Sequence, residues 1–99
     1  MLRKAVCKIV AEECVFMECD IQEKMRNHAK SFETVVHNAR RMAMTAKIFN
    51  IPIISTKHIR IGDHAKGLAD EHFDLVKVFE KHEMSMITKP ELFDHLKSL

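Results

Sequence analysis

Three short apolar segments, each ending among polar residues, constrain the fold of this chain most. They occupy residues 14–20, 51–56 and 75–79. Their length and apolar content predict strands, and nearly continuous apolar strands are typical of a parallel sheet covered on both faces. Asp20 closes the first segment and Lys81 follows the third. Side chains at the carboxyl ends of strands in an open α/β sheet are placed where such folds carry out their chemistry.

Residues 32–49 carry the clearest helix signal, because apolar side chains recur there every three or four positions. Asn50 and Pro52 follow and predict the end of this helix. The predicted core-facing stripe consists of Val35, Ala39, Met42, Ala46 and Phe49.

The remaining segments complete a β-α-β-β-α order. Residues 57–72 are polar and predict a loop. A final helix is predicted to begin with Thr88 as N-cap and Glu91 completing a capping box. Residues 1–13 predict either a short helix or a frayed arm, and residues 14–99 a single domain.

The charge balance excludes several functional classes. Sixteen basic and fourteen acidic residues are interleaved along the chain, and all six aromatic residues are Phe. This pattern argues against a nucleic-acid surface, which needs clustered positive charge or stacking platforms. No apolar stretch is long enough to span a membrane.

Three cysteines, Cys7, Cys14 and Cys19, form no closely spaced pair. A sparse, odd set favours a reducing compartment over a disulfide framework. Lys8 and the acidic pair at 12–13 interrupt the apolar region that a signal peptide would need. We therefore expect a cytoplasmic protein.

Two motifs resemble those of a known enzyme family. The sequence Cys-Asp-Ile-Gln-Glu-Lys at 19–24 resembles the first catalytic motif of the isochorismatase-like hydrolases, and Lys-x-x-Met-Ser-Met at 81–86 resembles their second. The segments 52–56 and 66–68 are similar to the family's second strand and the loop after it. The resemblance runs from about residue 15 to residue 96 and covers the N-terminal half of the family's domain, closest to the animal members.

The resemblance implies a Rossmann-like parallel sheet and a triad of Asp, Lys and Cys that hydrolyses a small amide, ester or vinyl ether. Asp20 would be the general base that activates the thiol, and Lys81 would orient Asp20 and stabilise developing negative charge. The cysteine would form a covalent intermediate that water releases. The resemblance implies no cofactor and no metal. We expect Asp20 and Lys81 to lie close enough to interact.

The nucleophile is the missing part of this pattern. No cysteine follows Cys19, whose side chain is expected to point away from Asp20 because neighbours in a strand alternate. We therefore expect a truncated, catalytically incomplete chain that lacks the family's C-terminal strands: a fragment, half of a split enzyme or a degenerate paralogue. Its first strand would expose an open edge, so self-association or a partner chain is expected. The alternative is a non-enzymatic interaction module using that edge.

Less specific interpretations of the polar residues stay open. Asp20 could simply cap a loop, and Lys81 could be a solvated lysine at a strand end. Asp63, His64 and His72 faintly resemble the metal ligands of nicotinamidase relatives, although loop histidines are more often exposed. Glu18 stands in a strand where the family has an apolar residue, and a carboxylate buried there without a partner would be costly.

Overall fold

A three-stranded parallel sheet forms the centre of the fold in a computed structural model that describes residues 8–68 and 70–99. The strands are β1 (Phe16–Cys19), β2 (Ile53–His58) and β3 (Lys77–Lys81). Their spatial order is β1-β2-β3, and within the described residues β1 pairs on one side only. This arrangement confirms the predicted α/β class and its parallel sheet.

In the part of the chain that the structure describes, three α-helices connect and follow the strands: α1 (Phe32–Ile48), α2 (Asp70–Phe73) and α3 (Pro90–Ser98). The short helix α2 lies at the end of the predicted 57–72 loop, so the element order is β-α-β-α-β-α. Parallel neighbours need a crossover that returns the chain to the starting edge of the sheet. The crossover between β2 and β3 contains this extra turn of helix, which the polar sequence did not reveal.

Helix α1 has the predicted length but packs through a different face. Its buried residues are Phe32, Val36, Ala39, Ala43 and Ala46. Val35, Met42 and Phe49, which were predicted to be buried, are 43%, 50% and 60% exposed. The two stripes are offset by three positions, which is a rotation of about 60° around the helix axis. The observed face carries more alanine, which lets the helix backbone approach the sheet closely.

Two small clusters make up the core on this side of the sheet. One joins Phe32 and Val36 to Ala65 and Leu68 of the loop that follows β2. A Cβ atom on Gly67 would lie 2.7 Å from a Val36 methyl group, so the loop can approach α1 this closely only with glycine at that position. The other joins the C-terminal half of α1 to β2; its buried residues are Ala43, Ala46 and Ile53.

Several element boundaries differ from the prediction. Strand β3 begins at Lys77 rather than at residue 75 and extends to Lys81, because its pairing with β2 starts there. The N-cap of α3 is Lys89. The Thr88 hydroxyl instead donates to the Ser85 carbonyl oxygen at 3.0 Å, which ties the preceding turn together.

The N-terminal prediction is only partly covered, because residues 1–7 lie outside the described residues. From residue 8 onward, the segment contains one 3₁₀ turn at Ala11–Glu13 before β1 begins. Across residues 8–68 and 70–99, no helix combines the length and the apolar character that crossing a bilayer would require.

Candidate functional site

Asp20 and Lys81 meet at the carboxyl-terminal edge of the sheet. The Lys81 Nζ atom lies 2.8 Å from Asp20 Oδ2, although Asp20 follows β1, Lys81 is the last residue of β3, and β2 lies between these two strands. The Lys81 side chain is 1% exposed and that of Asp20 is 12% exposed. The structure thus brings together the two residues that the sequence singled out, as a largely buried ion pair.

The ammonium group of Lys81 has a partner for each of its three N–H bonds. Besides Asp20, it donates to the carbonyl oxygens of Glu83 at 2.8 Å and Met84 at 2.6 Å. An ammonium has three donors, so this set satisfies it and offsets the cost of burying the charge. Lys81 can therefore act on a ligand through its charge, while its hydrogen bonds hold the protein.

Each carboxylate oxygen of Asp20 also receives a donor. The Thr56 hydroxyl at the sheet edge donates to Asp20 Oδ1 at 2.8 Å, and the Asp20 N–H donates to the Thr56 carbonyl oxygen at 3.2 Å. Asp20 has φ of 51°, a left-handed conformation that Asp tolerates better than most residues. Sequence reasoning did not single out Thr56, although it ends the second apolar segment as Asp20 ends the first.

The expectation for Cys19 was wrong. Cys19 is the cross-strand partner of Thr56, and paired residues share a face of the sheet. Because the positive φ of Asp20 interrupts the strand's alternation, its carboxylate turns back towards that same face. Burial and the nearby Asp20 carboxylate raise the pKa of the Cys19 thiol, while Lys81 and Thr56 act in the opposite direction. The thiol therefore lies beside the ion pair in its less reactive, protonated form.

Gln22 fixes the loop that follows Asp20. This side chain is fully buried. Its amide nitrogen donates to the carbonyl oxygens of His58 at 3.0 Å and Gly62 at 2.6 Å, while its oxygen accepts the His58 N–H at 2.8 Å. Three hydrogen bonds from one side chain tie the chain after β1 to the end of β2. Gln22 belongs to the first family-like motif, which is the signal that could have identified it.

Glu18 is buried but it has partners. His72 Nε2 donates to its carboxylate, at 2.9 Å from one oxygen and 3.2 Å from the other, and the Ser55 hydroxyl donates at 2.8 Å. His72 is 3% exposed, so the interpretation of this histidine as an exposed loop residue was wrong. Within the described part of the chain, no three potential ligand side chains, including Asp63 and His64, are grouped closely enough to hold a metal.

Comparison with known proteins finds relatives that are named as isochorismatase family or domain proteins. No protein-family model matches it. It is 31% identical over 97 residues to the secreted isochorismatase effector Isc1 of Phytophthora sojae, covering 94% of this chain and 46% of that protein. Isochorismatase family protein 1B of Dictyostelium discoideum is 34% identical over 103 residues, with coverages of 95% and 47%. Isochorismatase domain-containing protein 2 of Xenopus laevis is 32% identical over 100 residues, with coverages of 97% and 46%.

A solved structure agrees with these relatives. The structure of MAR1 ribonuclease from Caenorhabditis elegans superposes with a TM-score of 0.76 at 26% identity, covering 94% of this chain and 49% of that one. The chain thus spans about half the length of the curated relatives it matches. Several relatives align over nearly all of this chain, and the parallel sheet agrees with that alignment. The chain therefore belongs to the isochorismatase-like family.

Proposed function

We propose that this chain provides the Asp–Lys part of an isochorismatase-like hydrolase site, and that it is catalytically incomplete as a 99-residue polypeptide. The observation that carries the proposal is the buried ion pair of Asp20 and Lys81 at the carboxyl edge of the sheet. Ligand sites of open α/β folds lie at this edge.

In this proposal Asp20 is the general base. Its carboxylate can accept about four hydrogen bonds, and Thr56 and Lys81 each donate one of them. The carboxylate therefore keeps lone pairs that can accept the proton of an incoming thiol. Lys81 keeps the carboxylate oriented and supplies positive charge near the negative charge that develops on the substrate. Because its N–H bonds are all engaged, its contribution to the substrate is electrostatic.

The nucleophile is supplied from outside these residues in this proposal. Cys19 is the last cysteine in the sequence, and its raised pKa disfavours the thiolate that attack requires. A cysteine from a further segment or a partner chain would complete the triad. The reaction class is hydrolysis of a small amide, ester or vinyl ether through a covalent thioester or related intermediate.

The first experiment measures turnover of small amides, esters and vinyl ethers by the purified 99-residue chain and by its Cys19→Ser variant. We expect no thiol-dependent turnover in either. The second fuses the chain to the part of the Dictyostelium protein that it does not match. This chimera should gain activity, and Asp20→Asn should reduce its kcat by at least about a hundredfold, the usual contribution of a general base.

Asp94→Asn is the matched control, because Asp94 is an exposed carboxylate on α3 and should leave kcat unchanged. Turnover by the 99-residue chain that Cys19→Ser abolishes would show that the chain carries its own nucleophile. An active chimera that is insensitive to Asp20→Asn would refute the role of Asp20.

A specific observation supports a second candidate function, that of an interaction module. Within the described residues, β1 has a strand neighbour on one side only. An unpaired strand edge presents N–H and C=O groups that can pair with another chain. In this alternative the ion pair has a structural role, and the functional surface is the edge of β1.

A further inference from the structure

A short antiparallel pairing joins the segment that follows Asp20 to the loop that follows β2. The Glu23 N–H donates to the Asp63 carbonyl oxygen at 3.0 Å. The Ala65 N–H donates to the carbonyl oxygen of residue 21, also at 3.0 Å. His64 lies at the centre of the pairing, between these two bonds. Two backbone hydrogen bonds around one histidine therefore hold the residues that come directly after the candidate site.

The His64 ring is half-buried against the short helix α2. Its centroid lies 4.5 Å from the centroid of the Phe73 ring. Its Nδ1 atom is buried and has no hydrogen-bond partner among the described residues. A neutral imidazole carries one N–H, whereas the protonated ring carries an N–H on both nitrogens. Protonation in this position would therefore leave a buried N–H without an acceptor, which is costly.

The charged groups around His64 also disfavour its protonation. Lys57 in β2 is positive and repels an imidazolium. Glu18 in β1 is the buried acid on this side of the sheet, but its carboxylate already accepts from His72. The Asp63 side chain is 96% exposed, so water screens its charge. Burial and Lys57 lower the pKa of His64, as His72 does, and together they outweigh Glu18 and Asp63.

We propose that this pairing is an acid-sensitive switch: it holds while His64 is neutral, and protonation of the ring releases residues 63–65 from residues 21–23. In the released state the ring is exposed to water and regains the ordinary proton affinity of histidine. The paired state therefore has its full stability above the ordinary pKa of 6.5 and loses stability as the pH falls below that value. The switch is independent of any catalytic role of Asp20.

The test is amide hydrogen exchange of the 99-residue chain, measured by NMR over about pH 5–8, the range in which histidine titrates. The Glu23 and Ala65 amides are the two donors of the pairing. Their protection factors should fall as the pH falls, by up to about tenfold per pH unit for a single proton. The Phe16 amide donates within the sheet, to the Pro52 carbonyl oxygen, and should keep its protection.

Two histidine variants and one direct titration separate the switch from general acid unfolding. His64→Phe keeps an aromatic ring beside Phe73 but cannot take up a proton, so it should abolish the pH dependence. His28→Phe changes an exposed histidine and should leave the pH dependence in place.

The direct titration needs no variant: the ring resonances of His64 should titrate at a lower pH than those of a histidine in an unstructured peptide. Titration at the peptide's pH, or the same pH dependence in the wild type and in His64→Phe, would refute the switch. An equal loss of protection at Phe16 would mean that acid unfolds the whole chain, which would refute a local release.

Discussion

At the residue scale, the backbone conformation of Asp20 determines which groups meet at the sheet edge. Its positive φ turns the carboxylate towards Thr56 and places it beside the Cys19 thiol. The same conformation lets one carboxylate receive donors from β2 and β3 at once. A single left-handed residue therefore converts three strand ends into one polar site.

The first prediction concerns the reactivity of Cys19. With Cys7 and Cys14 replaced by serine, alkylation by iodoacetamide should show a pH midpoint above that of an unstructured cysteine peptide. The reason is that burial and Asp20 raise the thiol pKa, so the thiolate forms only at higher pH and alkylation at neutral pH is slow. Asp20→Asn should lower the midpoint, because it removes a negative neighbour.

The control for this experiment is Asp94→Asn, which changes a distant exposed carboxylate and should leave the midpoint in place. A midpoint below that of the peptide would mean that Lys81 outweighs burial at this thiol. Cys19 would then be a credible nucleophile.

At the element scale, a buried polar contact joins the first strand to the second helix. Glu18 in β1 binds His72 in α2, and Ser55 in β2 completes the contact. The side chains of Glu18 and His72 are 1% and 2% exposed, so water cannot replace a lost partner easily. The contact therefore sets where the short helix sits relative to the sheet.

Removing one partner of this contact should be costly. We predict that Glu18→Leu lowers the free energy of unfolding by about 3–5 kcal/mol, because it leaves His72 buried without its acceptor. The double variant Glu18→Leu/His72→Leu should recover most of that loss, since apolar side chains can replace a buried pair. Urea denaturation of the two single variants and the double variant measures the coupling. Additive losses would show that the two side chains do not stabilise each other.

The length of α1 and the ion pair could be predicted from the sequence, whereas the buried face of α1 could not. The spacing of apolar residues predicted the length of α1 to within one residue at its C-terminal end. Two stripes of side chains on this helix have the same spacing, however, and only packing against the sheet determines which of them is buried. The ion pair followed from two strand ends and a family pattern. The hydrogen-bond partners of Glu18 and Lys81 could not be predicted from the sequence. Tertiary packing places His72 beside Glu18, and the carbonyl oxygens of Glu83 and Met84 beside Lys81.

At the scale of the whole molecule, the main feature is that β1 pairs with a strand on one side only within the described residues. Phe16 and Asp20 direct their N–H groups to β2, so by alternation those of Met17 and Cys19 point to the other side. Among the described residues no strand lies there. Self-association through this edge remains our prediction for the 99-residue chain.

Sedimentation velocity over a range of concentrations should show dimers or larger species of the 99-residue chain. Met17→Pro should reduce association, because it removes an outward N–H without breaking the ladder to β2. Met17→Ala is the matched control: it loses the same side chain, keeps the N–H and should still associate. A chain that stays monomeric at every concentration, or equal association of both variants, would exclude this edge as the interface.

The three acceptors of Lys81 have a consequence for how the site can be studied. One nitrogen joins Asp20 after β1, its own strand β3 and the turn at residues 83–84. This buried ammonium group therefore holds separate segments of the backbone in place through its charge and its hydrogen bonds. Replacing Lys81 would release all of them together, so loss of activity and loss of architecture would coincide. The Thr56 hydroxyl donates to the same carboxylate and lies beside the Cys19 thiol, but it makes none of the contacts of Lys81. Changing Thr56 therefore offers a gentler way to disturb the charge while the contacts of Lys81 stay in place.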